Sequence, residues 1–472
     1  MAEVRVTING VQITSDSEKT ILQAVRENGL DDIPTLCYEE RLGFITSCFL
    51  CVVEVEGARG LIPSCSTKIN DGMTILTRSP KVLEARKTCL ELLFSDHYAD
   101  CISPCALECP AGVDIQGYMS LVKKGLYREA VELIKEKNPL PIVCGRVCVR
   151  LCEVACRRNL LDEPVAIDYL KRYAAESTEG RLFEPEVKPP TGKTVAIAGA
   201  GPAGLSAAYY LAVEGHKPVI FEAMPEAGGM LRYGIPAYRL PKELLDEEID
   251  SIRRLGVEIH CNKKIGEDFT LTDLKTGYDA VLLAMGAWGA SGMRVENENA
   301  AGVLSGLDIL RRTAKHELQE LKGRVLVVGG GNTAIDVSRT SVRLGASETV
   351  IVYRRTESEM PAHHEEISAA RKEGVKMEFL TAPVRVVTGE DGSVTGLECI
   401  RMELGPPDSS GRPRPVPVEG SNYVEPCDYV IAAIGQYPDF GTVGREESLS
   451  LHKWGGIIAD KDTLETNIPG VY

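Results

Sequence analysis

The chain reads as a multidomain α/β protein, and three patterns predict that class. A strand, glycine turn, helix and second strand follow one another from Val195 and again from Val325. Apolar and polar residues alternate on either side of Asn9-Gly10, and apolar residues recur at three- and four-residue intervals between about 81 and 185. The predicted order is a β-rich domain at 1–80, a helical domain at 81–185 and a first glycine-turn domain at 193–318. A second such domain at 319–432 is inserted into the first, which resumes at 433–472.

Composition narrows the function. Among 472 residues there are 45 Gly but only 8 Phe and 2 Trp, a balance suited to nucleotide-binding α/β domains. A net charge of −15 argues against nucleic acid and anionic membranes, whose binding needs a basic surface. The start, MAEVRVTING, lacks the basic-then-apolar pattern of a secretory signal, so a cytoplasmic location is expected. The uncharged run Val195–Val213 is 19 residues long, yet Gly199, Gly201, Pro202 and Gly204 interrupt it, so no transmembrane segment is expected. Of the 15 cysteines, 12 lie before position 157; an odd total without a signal disfavours a disulfide framework and favours metal or cluster ligation.

In the first domain, VRVTINGVQIT predicts a hairpin on Asn9-Gly10, and TILQAVRENG a helix closed by glycine. Cys37, Cys48, Cys51 and Cys65 then give C-x10-C-x2-C-x13-C. Zinc usually takes two close knuckles. One close pair flanked by distant single cysteines instead suits a [2Fe–2S] centre, although the plant-type C-x4-C-x2-C spacing is absent. The segment resembles the β-grasp ferredoxin domain of the large iron–sulfur subunit of respiratory complex I and of iron-only hydrogenases.

The helical domain carries HYADCISPCALECP, with His97, Cys101, Cys105 and Cys109, and CGRVCVRLCEVACRR, with Cys144, Cys148, Cys152 and Cys156. Seven thiols and one imidazole are eight candidate ligands, the number two [4Fe–4S] clusters need. Proline directly after Cys109 matches the ferredoxin habit in which that last thiolate serves the neighbouring cluster. Cys89 joins no group and reads as a buried helix thiol.

After the proline-rich linker Arg181–Lys193, Gly199-x-Gly201-x-x-Gly204 opens a helix, and the next strand ends in Glu222. The glycines admit a pyrophosphate to the helix N-terminus, and the acid accepts a ribose hydroxyl. In the second unit, Gly329-x-Gly331-x-x-Ala334 does the same, but Arg354 and Arg355 stand where an acid would. Guanidinium groups there select a 2′-phosphate, so NADP is expected over NAD. Arg339, on the intervening helix, is a further candidate to reach the phosphates or else a solvated surface residue.

From Cys101 onward the chain resembles the small subunit of bacterial glutamate synthase, the N-terminal part of dihydropyrimidine dehydrogenase and the large subunit of bifurcating NADH-dependent ferredoxin:NADP oxidoreductase. The motifs are CPAGVDI, NPLPIVCGRVC, GAGPAGLSAA, AGGMLRYGIPAYRLP, GGGNTAID and VYRRTESEMPA. The resemblance implies glutathione-reductase-like paired Rossmann domains, with AVLLAMGA and VIAAIGQYPD as the crossovers between them. It implies FAD on Gly199, Gly201, Pro202, Ala203, Gly204, Glu222, Gly229, Met230, Leu231, Gly286 and Gly435. NADP(H) would lie on Gly329, Gly331, Asn332, Thr333, Ala334, Arg354 and Arg355.

Three departures bear on function. Relatives place a glutamine or a carboxylate ligand in the segment matching PVAIDYLKRY; here Lys171 stands, which cannot ligate iron while protonated. The histidine-first series resembles a complex I cluster, so His97, Cys101, Cys105 and Cys156 are expected at one [4Fe–4S] cluster and Cys109, Cys144, Cys148 and Cys152 at the other. The family continues past the point matching Tyr472 into a flavin-binding aspartate, so the return segment is expected to be incomplete. No Ser/His/Asp or paired-carboxylate set stands out, and Cys261, Cys399 and Cys427 are single, unlike the cysteine pair of a disulfide reductase. The expected protein is an iron–sulfur flavoprotein subunit of a multi-subunit oxidoreductase, of which an electron-bifurcating transhydrogenase or hydrogenase complex is one form. Its partners would be complex I-like flavoprotein or ferredoxin-type subunits, or ferredoxin itself. The alternative is a glutamate synthase small subunit serving an amidotransferase-type large subunit.

Overall fold

A computed structural model describes residues 3–95, 102–408, 411–440, 443 and 449–472. The chain divides into two compact units, Met1–Leu107 and Glu108–Tyr472.

In the first unit Glu3–Ile8 and Val11–Asp16 form the hairpin, with Ile8 opposite Val11. Asn9 and Gly10 both take positive φ, 52° and 83°, as a two-residue turn matching strand twist requires. Thr20 caps the helix Ile21–Glu27 through a capping box with Gln23. That helix buries Ile21, Leu22, Ala24 and Val25 against a five-stranded mixed sheet, in a core that also takes in Cys51 and Cys65. Helix Pro80–Ser95 is anchored by Arg86, whose guanidinium donates to Val52 O at 2.8 Å, while Cys89 is half-buried.

The second unit opens with a bundle of short helices. Pro141–Val147 packs against Ile167–Glu176, and the contact is close because Gly145 lacks a side chain: a Cβ there would stand 2.7 Å from Arg172 Cβ. Two parallel sheets follow. The first runs Glu258–Cys261, Lys217–Glu222, Thr194–Ala198, Ala280–Leu283, and the chain's last residues return to it, Val471 bridging Val281. The second runs Val303–Ser305, Tyr429–Ala432, Gly323–Val328, Ala346–Val352, Lys376–Glu378.

The second sheet therefore starts earlier than the sequence suggests. The strand at Val303–Ser305 and the helix Gly306–Ala314 fall within the expected first domain, 193–318, yet Ile309 and Leu310 pack into the core of the second sheet. The glycine turn announces a nucleotide unit, but this unit's edge strand and one covering helix precede it in the chain. The outgoing and returning crossovers pair with each other, Gly289 opposite Tyr437 and Ala290 opposite Gln436. Among the described residues no helix is long and apolar enough to cross a membrane.

Candidate functional site

The four thiols of the first unit converge as two pairs. Cys37 interacts with Cys48, and Cys65 with Cys51; Cys65 also feels Cys37. Burial pushes the Cys37 thiol up, but the backbone N–H groups of Cys48 and Ser47 outweigh it and hold it down at about 7. Ser47 N–H donates to Cys37 Sγ at 3.4 Å, and the loop achieves this with left-handed backbone at Thr46 and Phe49. Burial and the neighbouring Cys51 push Cys65 up to about 11. Among the described residues no three His, Cys, Asp or Glu side chains close into a cage for one ion. Two pairs are what two irons need, each taking two thiolates, so the arrangement fits a [2Fe–2S] group.

In the second unit Cys148 raises both Cys144 and Cys152. Burial is the main cause, pushing Cys144 to about 11 and Cys152 to about 12, while Lys171 pulls both down. Arg150, in left-handed backbone at φ 57°, turns its N–H onto Cys148 Sγ at 3.4 Å. Among the described residues these thiols do not close into a cage for one ion, so the iron–sulfur reading of this set rests on their spacing in the sequence. Cys156 ends the short helix Leu151–Val154, its N–H donating to Glu153 O at 3.2 Å. In the first unit Cys105 Sγ donates to Ser103 Oγ at 3.1 Å. Cys109 begins the turn closed by Gly112 N–H. His97 and Cys101 lie outside the described residues.

One residue with no sequence signal holds this bundle to the first sheet's helices. Glu248, on Lys242–Arg253, is 2 % exposed, and its two carboxylate oxygens accept from Ile142 N–H at 3.1 Å and Val143 N–H at 3.0 Å. These are orphan donors at the start of the cysteine-bearing helix. Burial pushes Glu248 up to about 7 against the pull of Lys135 and the two N–H groups.

The first glycine turn is closely packed at three glycines and open at the fourth. At Gly199, φ is 107°, and a Cβ would meet Ala284 O at 2.5 Å; at Gly204 it would meet Gly199 O at 2.0 Å. At Gly201 it would meet only Gly229 Cα at 4.0 Å, so that glycine faces open space. Gly229, at φ 51°, closes the other side, since a Cβ there would lie 2.7 Å from Gly201 Cα. Helix Pro202–Val213 begins with no side-chain cap, and Pro202 and Ala203 are exposed at its mouth. Uncapped N–H groups beside an open glycine form a cradle for a diphosphate. Glu222 stands at the adjoining strand end, accepting from Ala200 N–H at 2.7 Å and Met224 N–H at 2.8 Å. Burial raises its pKa, opposed by those N–H groups. Met230 and Leu231 start the helix after Gly229; Gly286 and Gly435, at φ 76° and 132°, flank the paired crossovers.

The second turn repeats the plan. A Cβ at Gly329 would meet Ala433 O at 2.3 Å, whereas at Gly331 it would meet only Pro361 Cγ at 4.0 Å. Ala334 is buried, Asn332 Oδ1 accepts from His363 N–H at 3.1 Å, and Thr333 is half-buried beside it. Arg354 is exposed at the end of strand Ala346–Val352. Arg355 differs from expectation: it is 3 % exposed and donates to Asp408 at 2.6 Å and to Pro413 O at 2.8 Å, pinning the hairpin of strands Val394–Pro407 and Pro413–Pro417. Arg339 is neither solvated nor at the turn. It holds Glu366 and Glu373 and lies 4.4 Å over Tyr238.

The two sheets are joined by contacts between two separate sequence motifs. Arg239 of AGGMLRYGIPAYRLP donates to Asp336 of GGGNTAID at 2.6 Å, and Tyr238 OH to Asp336 O at 3.3 Å. Burial pushes Asp336 up to about 7 despite Arg239. Cys399 and Cys427 sit in one core cluster, where burial pushes both to about 12; Cys261 lies opposite Glu222 in the adjoining strand.

Comparison with known proteins agrees with this layout. Residues 193–472 match the family described as pyridine nucleotide-disulphide oxidoreductase. Residues 79–181 match dihydropyrimidine dehydrogenase domain II, 4Fe-4S cluster, and residues 1–80 a 2Fe-2S iron-sulfur cluster binding domain. The chain is 44 % identical to the NADP(+)-dependent formate dehydrogenase subunit beta of Moorella thermoacetica, over 78 % of this chain and 56 % of that one. It is 45 % identical to the NADPH-Fe(3+) oxidoreductase subunit beta of Geobacter sulfurreducens, over 77 % and 55 %. It thus spans about half the length of these two relatives. The glutamate synthase [NADPH] small chain of Escherichia coli is 37 % identical over 80 % of this chain and 84 % of its own. FprA of Mycobacterium tuberculosis shares the fold, with a TM-score of 0.50 at 19 % identity over 60 % of this chain and 78 % of that one. The chain belongs to the pyridine nucleotide-disulphide oxidoreductase family and carries that domain behind a 2Fe-2S and a 4Fe-4S domain.

Proposed function

We propose that the chain is the NADP(H)-side flavin and iron–sulfur subunit of a multi-subunit oxidoreductase. The observation that carries this reading is the pair of glycine cradles, at Gly201 and Gly331, in one chain with the paired thiols of the first unit. FAD, when bound, supplies the exchange between a hydride's electron pair and the single electrons that iron–sulfur clusters carry. The chain's own residues hold the parts in place. Gly201 and the start of the helix at Pro202 take the flavin's diphosphate, and Glu222 orients the adjoining ribose. Gly331 and the helix from Asn332 take the diphosphate of NADP(H), and Arg354 pairs with its 2′-phosphate while Arg355 stiffens the hairpin beside it.

Cys37, Cys48, Cys51 and Cys65 hold a [2Fe–2S] cluster. Cys109, Cys144, Cys148 and Cys152 hold one [4Fe–4S] cluster; His97, Cys101, Cys105 and Cys156 hold a second, an assignment that rests on the sequence. The domain at 1–80 favours a longer electron path to partner subunits over the glutamate synthase reading. Relatives named as beta subunits of an NADP(+)-dependent formate dehydrogenase and an NADPH-Fe(3+) oxidoreductase support a hetero-oligomer.

Arg354→Glu tests the nucleotide choice. An ion-paired hydrogen bond contributes about 1.5–3 kcal/mol, so kcat/KM for NADPH should fall roughly 10- to 100-fold while that for NADH changes little. Equal loss with both nucleotides, or none, removes Arg354 from the 2′-phosphate site.

A further inference from the structure

Two adjoining cavities, of about 220 and 240 Å³, open between the helical bundle and helix Lys242–Arg253, and Lys135, Phe183, Ser251 and Arg254 line both. No cysteine and no glycine of either nucleotide turn lines them. Lys135 ends helix Tyr127–Lys135 and is 8 % exposed. Among the described residues its ammonium makes no hydrogen bond and no ion pair, and its Nζ lies 5.4 Å from the centre of the Tyr209 ring, a wall of the larger cavity. Glu248 pulls on it from a distance, but both carboxylate oxygens of Glu248 already accept from Ile142 N–H and Val143 N–H. The charges around it are paired elsewhere, Arg181 with Glu247 at 3.5 Å and Asp250 with Arg253 at 2.9 Å. Arg254 is more than half exposed and reaches Glu184 only at 3.5 Å, so it stands at the mouth. Burial holds the Lys135 pKa below the usual lysine value against the pull of Glu248, and Arg254 adds to the lowering. A buried ammonium without an acceptor is costly, and a bound anion removes that cost.

We propose that this cleft binds a small organic monocarboxylate, its carboxylate on Lys135 and Arg254 and its apolar body against Phe183 and Tyr209. One unpaired ammonium matches one negative charge, whereas a phosphate dianion would bring a second charge towards buried Glu248. A few convergent polar groups among apolar walls are the usual make-up of a small-molecule site. Each cavity falls below the roughly 300–1,000 Å³ of drug-sized sites, which limits the ligand to about one ring or a short chain. Seated there, the ligand touches both the helix that ends at Lys135 and the helix that carries Glu248, and so braces the bundle against the first sheet's helices.

The test is calorimetric titration of the purified holoprotein with benzoate as the probe, read beside its Tm. Benzoate should bind at one site per chain and raise the Tm at saturation, and saturating NADPH should leave its affinity unchanged. Lys135→Met should abolish binding. Arg254→Gln, at an exposed position that leaves the core untouched, should weaken it roughly 10- to 100-fold, the range for a charged hydrogen bond, and it decides the matter if Lys135→Met does not fold. Benzyl alcohol, the neutral analogue, and inorganic phosphate should both bind far more weakly than benzoate. Neither heat nor a Tm shift with millimolar benzoate overturns the proposal. So does wild-type affinity in Lys135→Met or in Arg254→Gln, displacement of benzoate by NADPH, or binding of benzyl alcohol or phosphate as tight as that of benzoate.

Discussion

Gly201→Asp should yield a folded protein that no longer retains FAD. The backbone at Gly201 is extended, with φ −75° and ψ −177°, which any residue adopts, and its Cβ position touches nothing closer than Gly229 Cα at 4.0 Å. The backbone and the Cβ of the new residue are therefore accommodated without strain. What it adds is a carboxylate facing the diphosphate. A like-charge pair about 4 Å apart costs roughly 4 kcal/mol at an effective dielectric of about 20, or on the order of a thousandfold in affinity. Gly204→Ala should lose FAD by another route, because its Cβ would lie 2.0 Å from Gly199 O and force the turn open. Flavin absorbance after desalting, read beside the apoprotein's Tm, separates the two: only Gly204→Ala should lower the Tm. A Gly201→Asp protein that keeps its yellow colour would falsify the placement of the diphosphate.

Glu248→Ala should cost about 3–5 kcal/mol, because two buried N–H donors lose their acceptor at about 1–3 kcal/mol each. Ile142 N–H and Val143 N–H lose their acceptor, and buried Lys135 loses a compensating charge. At roughly 2–4 °C per kcal/mol for a domain of this size, the Tm should drop by about 6–20 °C. Because those N–H groups begin the helix that carries Cys144, [4Fe–4S] content should fall further than FAD content. Glu248→Gln, which keeps one acceptor, should fall between. Equal loss of both cofactors, or an unchanged Tm, would show that Glu248 does not tie the cluster helix to the first sheet.

The parts of this site that sequence reading reached are those with a local spacing rule. The glycine turns, the hairpin at Asn9-Gly10 and the cysteine spacings each follow from backbone geometry or ligand count within a short window. What it missed depends on contacts far apart in the chain. Glu248 lies more than a hundred residues from Ile142 and looks like one more charge on an amphipathic helix. Arg355 reads as a phosphate ligand beside Arg354, yet the bend that follows the strand turns it inward to Asp408. Arg239 and Asp336 belong to different motifs, and only their 2.6 Å pairing shows that these motifs hold the two sheets together. The start of the second sheet was misplaced for the same reason: Val303–Ser305 carries no glycine signal and is assigned by its pairing with Val430.

The most direct test of the electron path is an anaerobic titration of the purified complex with NADPH, followed by flavin absorbance and EPR together. The account predicts bleaching of FAD accompanied by one [2Fe–2S] and two [4Fe–4S] signals, with NADH far less effective at equal concentration. Bleaching by NADH but not NADPH, or flavin reduction with no iron–sulfur signal at any potential, would contradict it.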